Sequence, residues 1–217
     1  MCGDLLLLTS LENHFVPYHN RGHHNNVATP NDPATARMSE PLYIFWFRSQ
    51  IGSYVQAWQI EITRMKIMNK GMLSLSNKMV QYSIAHLLFL GIILYLFGLI
   101  GLIYFIIVAI IGMGLLETVN YIEHYGLIRT KNDKGRYEHV KRKHSWNSDH
   151  VLGRAILFEL SRHSDHHFKA DRPYQVLESR EDSPAMPTGY PGMMIMALIP
   201  PLFFAVMNQR VKAAREI

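Results

Sequence analysis

Residues 79–116 read MVQYSIAHLLFLGIILYLFGLIGLIYFIIVAIIGMGLL, 38 positions with no Lys, Arg, Asp or Glu between Lys78 and Glu117. Most are Leu, Ile, Phe, Val or Gly. A helix on a soluble core does not look like this, because one of its faces must meet water. At about 1.5 Å per residue a single helix of this length would reach almost 60 Å, whereas a hydrocarbon layer of about 30 Å needs roughly 20 residues. Gly98 and Gly101, near the middle, offer a flexible place for a reversal. We therefore expect a transmembrane hairpin over about 82–116, with arms 82–97 and 100–116 and both ends on one side. Each arm is at the short limit for spanning, so one steeply tilted helix is the alternative. The expected fold class is all-α, an integral membrane helical protein, with 1–217 taken as a single domain on grounds of length.

Charge sets the orientation. Segment 129–143 holds seven Lys or Arg against Asp133 and Glu138, a surplus equal to the formal net charge of +5. A basic loop just beyond a membrane helix belongs in the cytoplasm, so a multi-pass inner-membrane protein with this loop inside is expected. Nucleic acid, the rival reading of a basic run, is not expected as a partner beside so apolar a segment. Cys2 is the only cysteine, which excludes an internal disulfide and any cysteine-held zinc or iron–sulfur site. Electrons, if needed, come from another protein. The opening Met1-Cys2-Gly3-Asp4 has no basic region and Leu5 to Leu8 is too short for a signal core, so no secretory signal is expected.

Around the hairpin, 1–24 reads as the end of a helix and 25–33 as a Pro- and Asn-rich loop. Tyr43, Phe47, Ile51, Tyr54 and Trp58 recur at helical steps, a stripe expected to lie against the membrane or the hairpin, in ordinary packing rather than against substrate. Residues 151–167 continue a helical pattern. The apolar segment 193–207 carries Pro200 and Pro201 and is expected to be interfacial or packed rather than a third span.

Twelve histidines are present, and seven fall into tight groups. His19 and His23 share a helix face at i and i+4, with His24 turned toward a neighbour. His163, His166 and His167 lie on one side at i, i+3 and i+4. His124 sits within Asn120-Tyr121-Ile122-Glu123-His124-Tyr125-Gly126. Packing so many imidazoles without a metal has no better use that we find, whereas the lone His14, His86, His139, His144 and His150 are expected to be hydrogen-bonded structural residues. A hairpin returns the chain to the side it left, so the three groups can meet in one cytoplasmic layer. Imidazole suits Zn, Cu, Fe and Ni alike. Seven ligands are too many for one ion, and two ions with open positions describe a non-haem di-iron layer better than a zinc pair, which normally recruits carboxylates. Glu123 and Asp165 are expected to orient imidazoles by hydrogen bonding from behind.

The runs His19-Asn-Arg-Gly-His-His24 with Val27-Ala-Thr-Pro-Asn-Asp-Pro-Ala34, then Asn120 to Leu127, His144-Ser-Trp-Asn-Ser148 and Arg162-His-Ser-Asp-His-His167 resemble those of the membrane-bound alkane 1-monooxygenases, over about 14–209. The resemblance implies terminal hydroxylation of an alkane with O2 at two iron ions, in contact with membrane lipid, with electrons from rubredoxin. It also implies that His19, His23, His24, His124, His163, His166 and His167 are iron ligands. Tyr18 stands where the family commonly has Glu, and the family's earlier His-Glu-x-x-His box has no counterpart before His14. A piece of a longer enzyme, or a remnant that turns nothing over, are both consistent with that. A fatty acid desaturase or hydroxylase of the same histidine-rich class is the competing enzyme, although its His-x-x-His-His form fits only the last group here.

Overall fold

The computed structural model describes residues 2–216. Its helices are α1 (Cys2–Thr9), α2 (Phe15–Tyr18), α3 (His24–Asn26), α4 (Leu42–Ile67), α5 (Lys78–His124), α6 (Val151–Ile156), α7 (His163–Phe168), α8 (Tyr190–Ala197) and α9 (Pro200–Arg215). A π-helical turn, His19–His23, joins α2 to α3. Among the described residues there is no β-strand, only isolated bridges such as Lys131 with Tyr137. Close packing divides the chain into two compact units, interleaved in sequence. One holds the residues up to His23 with Gln50–Leu116, the other His24–Ser49 with the residues from Glu117 onward.

The first unit is dominated by α5, which is not straight. Gly98 has φ 66° and ψ −172°, a backbone region essentially closed to residues with a Cβ. The rings of Phe89 and Phe105 meet edge-on with centroids 5.4 Å apart. On an unbroken helix these two positions would be about 24 Å apart, so the chain folds back at Gly98. The pair of arms is apolar and largely uncovered, with Tyr95 87% and Leu87 72% exposed. Among the described residues α5 is the one helix long and apolar enough to cross a membrane.

The lone histidines of this unit have ordinary partners. His14 Nε2 lies 3.2 Å from the Ser53 hydroxyl, and His86 Nε2 lies 2.9 Å from Asn13 Oδ1. On α4, Leu42, Phe45, Ser49, Ser53, Ala57, Glu61 and Met65 are buried, at helical steps of three or four. The stripe expected to lie against the membrane or the hairpin is the opposite face, with Tyr43, Phe47, Ile51 and Tyr54 exposed and Trp58 half-buried.

In the second unit, Leu42, Phe45, Tyr121, Tyr125, Trp146, Met193, Phe203, Met207 and Val211 form the core. α8 and α9 both contribute, separated at Leu198–Ile199 with Pro200 opening α9, so 193–207 is packed rather than extended. Residues 151–167, expected to be one helix, are two. Phe158 and Glu159 adopt φ of 50° and 62°, left-handed values that cost non-glycine residues roughly 1–3 kcal/mol each. The Arg154 guanidinium donates to Glu159 at 2.8 and 2.9 Å across this turn. His163 therefore opens a new helix instead of closing an old one.

Candidate metal centre

Helix α7 is short, and its residues divide by function around its axis. At 100° per residue, His163, His166 and His167 share one face while Ser164 and Asp165 share the other. The second face anchors the helix. The Ser164 hydroxyl donates to the Ser145 carbonyl at 2.7 Å. Asp165, wholly buried, accepts from Arg142 Nε at 2.9 Å, Arg172 at 2.7 Å and the Glu178 N–H at 3.2 Å. Burial pushes the Asp165 carboxyl up, but these hydrogen bonds outweigh it and hold it below its ordinary value. Asp165 thus grips two arginines, where sequence reasoning had it orient an imidazole.

The end of α5 is fixed by the residues around His124. Tyr121 donates to the Glu40 carbonyl at 2.6 Å, and Tyr125 donates to Asn208 Oδ1 at 2.6 Å. Gly126 has φ 72°, and a Cβ there would lie 2.7 Å from Val211 Cγ2, so only glycine lets the chain turn against α9. The Trp146 N–H donates to the Glu123 carbonyl at 2.8 Å, and its indole N–H to the Tyr125 carbonyl at 2.8 Å. Residues 144–148 therefore tie the end of α5 to α7. His144 itself accepts from the Lys141 N–H at Nδ1, 3.0 Å away.

These supports bring three imidazole nitrogens together. His163 Nε2 lies 3.0 Å from His124 Nε2 and 2.9 Å from His167 Nε2. All three rings are buried, at 1%, 3% and 5% exposure for His124, His163 and His167. A neutral ring nitrogen carries at most one proton, so one Nε2 cannot satisfy both neighbours by hydrogen bonding. Imidazole nitrogens bound at about 2.1 Å to one ion, at right angles, lie about 3 Å apart. The observed separations fit that arrangement, and the donor set suits a first-row transition metal such as iron.

A second pair adjoins them. The His24 ring centroid lies 4.8 Å from that of His166 and 4.8 Å from that of His167. In the other unit, His19 and His23 stack at 5.2 Å on the π turn. With an i→i+5 repeat of roughly 4.4 residues per turn, such a turn rotates successive side chains less than an α-helix does.

Glu123 is not behind an imidazole. Its Oε2 lies 3.3 Å from His163 Nε2, the nitrogen that faces His124 and His167. Its Oε1 accepts from the Tyr190 hydroxyl at 2.6 Å. Burial pushes the Glu123 carboxyl up to about 8 against the opposing hydrogen bond, and burial pushes the Tyr190 phenol far up, so it stays a donor. Sequence reasoning missed Tyr190, which sits between Gly189 and Pro191 in what reads as loop.

The fatty acid desaturase family matches residues 1–196. An alkane 1-monooxygenase of Alcanivorax borkumensis is 46% identical over 198 residues, 91% of this chain and 49% of the relative. One from Pseudomonas aeruginosa is 41% identical over 211 residues, 97% of this chain and 55% of the relative. The xylene/toluene monooxygenase hydroxylase component of Pseudomonas putida is 31% identical over 189 residues, 87% of this chain and 49% of the relative. The chain spans about half the length of the curated relatives it matches. With the family's match running over most of its length, the chain belongs to the fatty acid desaturase family.

Proposed function

We propose that this protein acts as a membrane alkane 1-monooxygenase, or as the part of one that holds most of its metal layer. The observation that carries the reading is the meeting of His124, His163 and His167 Nε2 atoms at 2.9 and 3.0 Å. Its relatives' names supply the substrate class. The reaction balances as alkane plus O2, two electrons and two protons to a primary alcohol and water. Two iron ions, when bound, would supply the oxygen activation.

The chain's own part is to hold and shield. His124, His163 and His167 would hold one ion in a buried pocket, and His24 and His166 belong to the second. His19 and His23, on the π turn of the other unit, are the remaining candidate ligands by the resemblance. Arg142 and Arg172, clamped on Asp165, keep α7 from rotating its histidines away. The uncovered apolar arms of α5 suit lipid, which would let an alkane approach without crossing water. The basic segment 129–143 would then face the cytoplasm and attract an acidic rubredoxin-type donor, as the single Cys2 leaves the chain no iron–sulfur centre of its own.

Membranes from cells expressing the gene in its native reading frame should convert n-octane to 1-octanol when given O2, rubredoxin and its reductase. An acyl chain desaturated while octane is untouched would move the assignment to the desaturase chemistry of the family. Oxidation of a toluene methyl group in preference to octane would move it toward the xylene/toluene monooxygenase.

A further inference from the structure

The chain from Leu127 to His144 meets the end of α9 around a cavity of about 120 Å³, and none of the grouped histidines lines it. Thr130, Glu138, Lys143, His144 and Arg215 give it polar walls, with Leu127 and Ala214 as apolar ones. The volume is enough for a small oxyanion with some water.

His144 is 2% exposed, and its tautomer is fixed. Nδ1 accepts from the Lys141 N–H at 3.0 Å, so the neutral ring carries its proton on Nε2. Burial above all keeps the ring neutral, holding it down to about 4. That Nε2–H is buried and has no hydrogen-bond acceptor among the described residues. Glu138 Oε1, on another wall of the cavity, stands 3.5 Å from it, too far for a good hydrogen bond. Buried donors rarely go unmatched, and a ligand oxygen in the cavity would match this one.

The charges around it favour an anion. Lys143, half-buried, has no ion-pair partner among the described residues. Arg215 is held in place by Nε and Nη2, which donate to the Gly126 carbonyl. A carbonyl orients that guanidinium without neutralising it. Glu138 has its own cation, because Oε2 accepts from Lys141 Nζ at 2.6 Å, while Oε1 accepts from the Thr130 N–H at 3.2 Å and hydroxyl at 2.7 Å. Held ionised by these bonds, the Glu138 carboxylate can only accept. A fully deprotonated anion such as sulfate would meet repulsion there, whereas an oxyanion that keeps a proton offers it an O–H.

We propose that this cavity binds a phosphate that keeps one of its protons, with His144 Nε2–H, Lys143 and Arg215 donating to its oxygens and Glu138 accepting its O–H. Inorganic phosphate and the phosphomonoester headgroup of phosphatidic acid share this chemistry.

The test is equilibrium dialysis of the purified protein in detergent against radiolabelled inorganic phosphate near neutral pH. The expected result is one saturable site per chain, for which sulfate competes at least about tenfold more weakly. Lys143→Met and His144→Phe should each weaken phosphate binding by at least about tenfold, and Lys143→Met serves if the histidine variant does not fold. Glu138→Gln should bring sulfate and phosphate to similar affinities, since an amide both donates and accepts. Cobalt(II), loaded anaerobically as a probe of the histidine centre, should bind all these variants as it binds the parent. Displacement of the label by mixed micelles containing phosphatidic acid, and not by phosphatidylcholine, assigns the headgroup as the ligand, while displacement by free phosphate alone assigns the soluble ion. No saturable phosphate binding, equal binding of sulfate by the parent, or undiminished affinity in Lys143→Met would overturn the proposal. So would loss of cobalt binding in step with phosphate, which would make the effect one of folding.

Discussion

The Ser164 hydroxyl donates a 2.7 Å hydrogen bond to the carbonyl of Ser145, and both residues are fully buried. That one bond joins the helix carrying three of the grouped histidines to the run that also grips the end of α5. Replacing Ser164 with Ala leaves the Ser145 carbonyl without this donor in a place water does not reach. The expected loss is about 1–2 kcal/mol of stability, seen as a lower Tm, with weaker cobalt binding beside it. A variant as stable as the parent that binds cobalt as tightly would show that the bond does not set the position of α7.

Asp165→Asn should be more damaging. The amide cannot answer two guanidinium groups, and the largely buried Arg142 is left with only the exposed Asp182, 3.6 Å away. Because Arg142 and Arg172 retain some solvent contact, the expected cost is about 2–3 kcal/mol, below that of a wholly buried pair. Chemical denaturation of the detergent-solubilised protein measures it. Arg172→Lys, which keeps charge at the more exposed partner, should lose less than half as much.

The reversal at Gly98 can be tested by distance. Cysteines placed at Phe89 and Phe105, whose rings are 5.4 Å apart, should cross-link readily after Cys2 is replaced by Ser. Failure to cross-link in membranes would mean the arms run straight on. Gly98→Val should cost roughly 1–3 kcal/mol through its forced positive φ.

Acid should loosen the basic loop in two stages. Burial holds His144 down to about 4, so its neutral form stabilises the fold above its ordinary 6.5 and that contribution is lost as pH falls from 6.5 to 4. Hydrogen bonds from Lys141 and Thr130 hold Glu138 down to about 2, so its contribution is present above 4.5 and is lost as pH falls toward 2. Fluorescence of the buried Trp146 and protease cleavage within 129–143 should therefore change first below pH 6.5. In His144→Gln the first stage should vanish and the second remain.

Much of this arrangement was legible in the sequence, and what was not has physical causes. Gly98 and Gly101 together marked the reversal, because so few residues can break so apolar a run, and the backbone leaves the helix at Gly98. His163, His166 and His167 could be grouped because helix periodicity alone fixes their common face. The break at Phe158 and Glu159 left no mark, since neither residue is a turn former and the Arg154–Glu159 pair that spans the turn has no sequence signature. The contacts of Glu123 could not be read, because the direction of a side chain at a helix end depends on what waits there. Here that is Tyr190, far along the chain. Asp165 likewise looked like a partner for histidine until two distant arginines were seen to occupy it.

The π turn at His19–His23 has a consequence for how this region can change over time. A π turn is an α-helix with one residue inserted, and removing that residue restores the tighter repeat. Deleting Asn20, say, would swing every following side chain by about 100° around the axis. Substitution there is milder, apart from Gly22, where a Cβ would strike Gln56 at 2.7 Å. In descendants of this chain the identities of Asn20 and Arg21 can drift, while the number of residues from His19 to His23 stays fixed. Insertions and deletions should instead collect at the exposed tip near Gly135.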